Sequence, residues 1–389
     1  MDHTIANDPA PAGGGRPGRV AALVLAAGFS TRMDGFKPLL PLGGVSVLRR
    51  CAGLFFHAGV ERIMVVAGHR ADDVLAEATR FGIEGVRNPY PDRGMFSSVQ
   101  AGVAALPEDT EAFFLLPVDI PLVRVSTVKT LLSRWRSDGP GVLLPSFNGK
   151  RGHPPLISMG HAQRILNWQK GGGLRALLNG LPGVDVPVPD SNILTDMDTG
   201  EDYRAAQIRL RRSGIATPEE TRALLDILDM NERGRAHGEA VAKVALCFAK
   251  ALNAAGRALD LESVRTAGLL HDVAKGKPDH EREGGVLLRG YGFSDTAAIV
   301  AAHRDVSLPE GELLGEREVV YLADKFVRGA SLIPLEARFQ EKLDLHAGDE
   351  AATAAITRRL NNARRVLAAL EAEAGRSVDK ILAGCGVWA

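Results

Sequence analysis

Between Val20 and Val188 short apolar runs alternate with amphipathic stretches. VAALVLAA precedes VSVLRRCAGLFFHAG, RIMVVAG precedes RADDVLAEATRF, and AFFLLPVDIP follows later. Strands buried on both faces read as unbroken apolar runs, and their covering helices repeat apolar residues at three and four. The rhythm therefore predicts an α/β domain with a mostly parallel sheet. After Tyr203 the strand-like runs stop, and segments such as EAVAKVALCFAKALNAAG and AAITRRLNNARRVLAALEAEAG predict an all-α second half. In the intervening RLRRSGIATPEETRALLDIL, Gly214 is expected to stop one helix. Thr217-Pro218-Glu219-Glu220 is expected to start the next, with an N-cap, a proline in the first turn and early acids. The reading divides the chain into a tail (1–18), an α/β domain (19–213) and a helical domain (214–389).

A chain of 389 residues exceeds what one ordinary core fills, which agrees with two domains. Lys plus Arg and Asp plus Glu each number 47, so net charge gives no reason to expect nucleic acid or an anionic membrane as a partner. Any affinity for phosphate must be local. The three cysteines, Cys51, Cys247 and Cys385, form no CxxC pair, which speaks against a disulfide framework or a thiolate zinc site and fits a reducing cytoplasm. The opening MDHTIANDPAPAGGGRPG has no apolar signal core and reads as a disordered tail. No later stretch has the uncharged apolar length of a membrane span.

The run VAALVLAA leads directly into Gly28-Phe29-Ser30-Thr31-Arg32-Met33. This places a glycine and two hydroxyl residues at the carboxyl end of the first strand, where open α/β sheets bind ligands. Gly28 permits close backbone approach, loop N–H groups can hold phosphate oxygens, and Arg32 and Lys37 add positive charge. Asp119 follows an apolar strand, a position that is unfavourable for a carboxylate without a partner, and is the first candidate for a Mg²⁺ ligand. Asp198 is the second candidate, with Asp196 in reserve. Asp198 also reads as a helix N-cap for Thr199-Gly200-Glu201-Asp202-Tyr203.

LAAGFSTRMDGFKPLLPLGG resembles the signature loop of the nucleotidyltransferases that act on molybdopterin. Further blocks in the same order strengthen the resemblance: Arg93–Gly102, Leu116–Pro121, Arg151–Pro154, Gly171–Arg175 and Asp196–Tyr203. Together they cover most of residues 20–205. The resemblance implies a GT-A-like fold and transfer of CMP from CTP to molybdopterin, or to its molybdenum form, with release of pyrophosphate. It also implies nucleotide and cofactor contacts at Ala26, Ala27, Gly28, Ser30, Thr31, Arg32, Lys37, Ser97 and Gly102, with His153 facing the pterin. Ala27 before Gly28 is the cytidylyl form of the loop, and its methyl would narrow a base pocket, so CTP is favoured over GTP. Asp34, where the family has glycine, adds a negative charge beside the loop.

In the helical half, His237, the pair His271-Asp272, His280, His303 and Asp324 are residue types that suit Mn, Fe or Zn, and a site fed from several helices is how a bundle builds a metal core. Residues 235–328 resemble the HD superfamily of metal-dependent phosphohydrolases. The resemblance implies one ion on His237, His271, Asp272 and Asp324, and a second completed by His280 and His303. Lys275, three residues after the pair, is expected one helical turn onward, where it can bind a substrate phosphate. A nucleotide or other phosphorylated small molecule would serve as substrate. The alternatives are another acceptor for the transferase, a sugar or polyol phosphate, and a regulatory rather than hydrolytic HD half. A molybdoenzyme apoprotein is a further candidate partner.

Overall fold

The computed structural model describes residues 19–30, 32, 33, 35–302, 306, 308, 309 and 311–386. The predicted tail, Thr31, Asp34 and His303 lie outside the described residues. The chain packs as two compact units, one ending at Arg212 and the other beginning at Ser213.

The first unit is built on one sheet. Its strands lie in the spatial order Gly183–Pro187, Val142–Phe147, Leu156–Ser158, Ala112–Pro117, Val20–Ala26, Arg62–Ala67 and Glu84–Arg87. Val20–Ala26 is buried along its whole length and pairs in parallel on both sides. Leu156–Ser158 runs antiparallel to both its neighbours, as does the short Lys150–Arg151 beside Val142–Phe147. The sheet is thus mostly parallel, as the apolar runs require. Its register sets Ala26 opposite Ala67 and Leu25 opposite Pro117, so three central strands end at one level. The ladder continues past them: Val118 N–H donates to Leu25 O (3.0 Å) and His69 N–H to Ala27 O (3.2 Å). A Cβ on Gly68 would lie 2.7 Å from the Ala27 Cβ and 2.9 Å from the Pro91 Cβ, so only glycine allows these strand ends to close up.

The second unit is helical. Pro218–Ile227 starts at Thr217 with a reciprocal cap, in which Thr217 Oγ1 accepts from Glu220 N–H and the Glu220 carboxylate accepts from Thr217 N–H. Gly214 plays a different part from the one expected, because the preceding helix, Gly200–Arg211, ends before it. Gly214 O accepts from Asp295 N–H, and a Cβ there would lie 2.4 Å from the Asp295 carboxyl carbon, so the glycine serves a close crossing. The all-α expectation also misses a small antiparallel pair, Val327–Arg328 with Ser331–Leu332, where four residues give too little alternation to read.

The central helix is Glu232–Ala254, whose buried Val241, Val244, Ala245, Phe248 and Leu252 form one apolar stripe. It packs with Leu261–Leu270 and Glu316–Lys325 into a core that includes Tyr321 and Phe326. Among the described residues no helix is long and apolar enough to cross a membrane.

Candidate functional site

In the first unit, the level strand ends open into a pocket of about 170 Å³. Its lining includes Ala27, Gly28, Ser30, Lys37, Ser98 and Asp119. A Cβ on Gly28 would meet no atom of the described residues within 4 Å, which leaves space beside the loop among them. Ser30 takes a positive φ of 53°, and its hydroxyl accepts from Lys37 N–H (3.1 Å), which ties the loop to the short helix carrying the lysine.

Lys37 is the centre of the charge arrangement. Its buried ammonium lies 2.9 Å from Asp198 Oδ1 and 3.8 Å from Asp119 Oδ2, and the exposed Arg32 donates to Asp198 Oδ2 at 2.7 Å. The backbone makes this meeting possible: Met197 N–H donates to Asp119 O (2.8 Å), which brings Asp196–Asp198 against the end of the strand. Burial pushes the Asp119 carboxyl above its ordinary value, Lys37 pulls it back, and Asp198 and Asp196 add repulsion. The Asp198 carboxyl is held below its ordinary value by the hydrogen bond from Lys37. Asp198 is not the helix cap, since Thr199 and Asp202 fill that role reciprocally.

Four of the expected contacts, Ser97, Gly102, Ala26 and His153, are not among the residues lining this pocket. Ser97 Oγ lies 2.9 Å from Tyr90 O and 2.8 Å from Gly94 O and accepts from the Asn88 amide, while its neighbour Ser98 lines the pocket. Gly102, one turn after Ser98, is buried under the sheet, where a Cβ would lie 2.9 Å from Val66 and 3.0 Å from Leu23. It is a packing glycine, a role the matching motif could not distinguish from ligand contact. Ala26 is likewise fully buried within the sheet. His153 N–H donates to Ile193 O, its buried Nδ1 has no hydrogen-bond partner among the described residues, and it is not among the residues lining the pocket. Burial pushes its imidazole below the ordinary value.

In the second unit, four of the predicted ligands meet. His237 lies one turn before Val241 on the apolar stripe of the central helix, so the stripe aims its imidazole inward. His271 directly follows the helix Leu261–Leu270. Their Nε2 atoms are 3.3 Å apart. Each Nδ1 lies 2.8 Å from a backbone carbonyl, Gly329 O for His237 and Gly268 O for His271. A carbonyl can only accept, so both Nδ1 atoms carry a proton, and in neutral imidazoles both Nε2 atoms would present lone pairs to the same point. Asp272 Oδ2 lies 3.6 Å from each Nε2, and Asp324 Oδ1 lies 3.5 and 3.8 Å from them. Lone pairs and carboxylate oxygens converging in this way suit a divalent cation.

Asp272 faces two ways. Its Oδ1 lies 3.5 Å from His280 Nε2. His280 opens the helix His280–Gly290 and is partly exposed. Lys275 pairs with Asp272 Oδ2, but not from a helix, because residues 271–276 run as successive turns with Lys275 N–H donating to Asp272 O at 2.9 Å. Burial pushes His271 below its ordinary value, which favours the neutral imidazole a metal requires. Burial raises the Asp272 carboxyl, but His271 and Lys275 outweigh it and hold the group below the ordinary range.

Two glycines missing from the sequence reading make this site possible. A Cβ on Gly238 would lie 2.7 Å from Leu269 O, and one on Gly268 would lie 2.7 Å from Ala242 Cα. They let the helices carrying His237 and His271 cross backbone to backbone. The available signal was a small residue on each helix within a turn of a histidine. Gly268→Ala should force the helices apart, destabilising the protein by about 1–3 kcal/mol and weakening Mn²⁺ binding. Unchanged thermal unfolding and unchanged metal titration would remove the close crossing from this role.

The first unit is therefore an α/β unit with carboxylates and a lysine beside a pocket at its strand ends, and the second a helical unit with a histidine and aspartate cluster. Residues 22–186 match the family model of the MobA-like NTP transferase domain, and residues 235–329 match that of the HD domain. The chain thus combines a MobA-like NTP transferase domain with an HD domain.

The chain is 29% identical over 194 residues to the molybdenum cofactor cytidylyltransferase of Escherichia coli, covering 49% of this chain and 96% of that protein. It is 35% identical over 130 residues to the bifunctional protein GlmU of Rhizorhabdus wittichii, of which it spans 28%, with 33% of this chain covered. A solved nucleotidyl transferase from Methanothermobacter is 25% identical, with 50% of this chain and 98% of that chain covered and a TM-score of 0.44.

Proposed function

We propose that the first unit transfers CMP from CTP to molybdopterin or its molybdenum form, releasing pyrophosphate. The observation that carries this reading is the Lys37 ammonium set between Asp198 and Asp119 at the mouth of the strand-end pocket. Attack of a phosphate on the α-phosphorus of a nucleoside triphosphate brings anionic oxygens together. It needs charge neutralisation and in-line placement more than an acid or base. Asp119 and Asp198 would hold Mg²⁺, which supplies neutralisation to the triphosphate. Lys37 and Arg32, which lie on Asp198, would then be available to pair with the phosphate oxygens. Similarity to a molybdenum cofactor cytidylyltransferase along nearly its whole length supports the acceptor, and the Ala27 methyl in the pocket lining supports a pyrimidine.

The second unit, in this reading, is a metal-dependent phosphohydrolase for a nucleotide or another small phosphate ester. His237, His271, Asp272 and Asp324 would hold one ion, and His280 and His303 a second. Such ions polarise a phosphoryl oxygen and lower the pKa of a bound water. Lys275, largely exposed beside Asp272, would take a substrate phosphate. The two activities are proposed to reside separately in residues 19–213 and 214–389.

CTP and GTP, each supplied with molybdopterin and Mg²⁺, test the transferase reading by pyrophosphate release and product mass. CTP should be used several-fold faster. Equal rates would undo the base assignment, and transfer only to a sugar or polyol phosphate would undo the acceptor.

A further inference from the structure

Asp324 occupies an unfavourable position. It lies in the last turn of Glu316–Lys325, where the helix dipole disfavours an acid, and it is buried, which disfavours any isolated charge. Two cations are built around it. Lys325, itself buried, places its ammonium 2.8 Å from Asp324 Oδ2 and 4.7 Å from the centre of the Tyr321 ring. Arg338, from the helix Leu335–Leu345, places Nη2 3.3 Å from Asp324 Oδ1, and its Nη1 donates to the carbonyls of Asp324 and Val327.

These contacts divide the carboxylate. Oδ2 is turned to Lys325, while Oδ1 accepts from Arg338 on one side and lies 3.5 and 3.8 Å from the Nε2 atoms of His237 and His271 on the other. A carboxylate gripped at both oxygens cannot rotate about χ2 without breaking an ion pair. We propose that Lys325 and Arg338 are the positioning residues of the metal centre, holding Asp324 with Oδ1 presented to a divalent cation between the two imidazoles. The inference rests on reading His237, His271, Asp272 and Asp324 as metal ligands. Neither cation reaches the metal position as a ligand, since ammonium and guanidinium groups have no lone pair to give.

The sign of the effect separates positioning from plain electrostatics. A lysine that acted only as a nearby positive charge would repel the ion, and its removal would tighten binding. A lysine that orients the ligand would weaken binding when lost, by about ten- to a hundredfold, as outer-shell partners of metal ligands do.

The test is Mn²⁺ titration of the full chain against a chelating indicator, with thermal unfolding followed with and without Mn²⁺. Lys325→Met should lose about ten- to a hundredfold in affinity, and Lys325→Arg should recover most of it. Arg338→Lys retains the charge but cannot span two carbonyls and Oδ1 together, so it should lose several-fold and provides the measurement if Lys325→Met does not fold. Tighter or unchanged Mn²⁺ binding in Lys325→Met or Arg338→Lys, with the wild type binding normally, overturns the positioning role alone. A wild-type chain that takes up no Mn²⁺, Fe²⁺ or Zn²⁺ overturns the metal reading itself.

Discussion

Asp119→Ala should reduce nucleotidyl transfer by about 10³-fold or more while CTP binding changes little. Asp119 lies just beyond the buried strand Ala112–Pro117, level with the phosphate loop, and is held there by the ladder bond of Val118 and by Met197 N–H on its own carbonyl. The ground-state triphosphate retains Lys37, Arg32 and the loop N–H groups, so affinity survives. What is lost is the group that would anchor Mg²⁺ where charge accumulates as pyrophosphate leaves. Removing a single preorganised oxyanion donor already costs about 10²–10³ in rate, and a metal anchor serves more than one oxygen. The measurement is pyrophosphate release beside equilibrium CTP binding. Near-wild-type turnover in Mg²⁺ would take Asp119 out of this role.

Asp272→Ala should have a comparably large effect in the second unit and none in the first. The two Asp272 oxygens face different partners, Oδ2 toward His237 and His271 and Oδ1 toward His280, so a single side chain would serve both ions. Its loss should weaken metal binding by at least about a hundredfold, the upper end of what a lost outer-shell partner costs, and abolish hydrolysis of a p-nitrophenyl phosphate ester. His280→Ala should be milder, lowering metal content by one ion and retaining part of the rate, because one ion can still polarise the phosphate. Full metal content and full hydrolysis in Asp272→Ala would rule out the metal centre, leaving a helical binding module as the reading of this half.

Much of this was readable along the chain. The unbroken run VAALVLAA could only be a strand buried on both faces, and Thr217-Pro218-Glu219-Glu220 carries its helix start within four residues, because capping chemistry is local. The signature loop and the spaced histidines and aspartates named Lys37, Asp119, Asp198, His237, His271, Asp272 and Asp324. Local rules failed where a residue could act on either of two faces. Ser97 and Ser98 are adjacent and chemically alike, and the rotation of the helix Met95–Ala104 decides which one reaches the pocket. Gly102 and Gly214 read as a nucleotide or cofactor contact and a helix stop, but each makes room for a partner distant in sequence.

The sequence by itself determined the two classes of unit, the glycine loop at the strand end and the candidate histidines and aspartates, because each depends on periodicity or on residue chemistry. Only the tertiary structure decided which groups share a charge. Asp198 meets Lys37 because a backbone bond from Met197 carries its segment to Asp119. His237 meets His271 because Gly238 and Gly268 let two helices touch at their backbones. Lys325 and Arg338 become part of the centre because the end of one helix packs under the next, so that Asp324 is buried with two cations and one free direction. These are relations between residues far apart in the chain, and their energies depend on distances that no local pattern records.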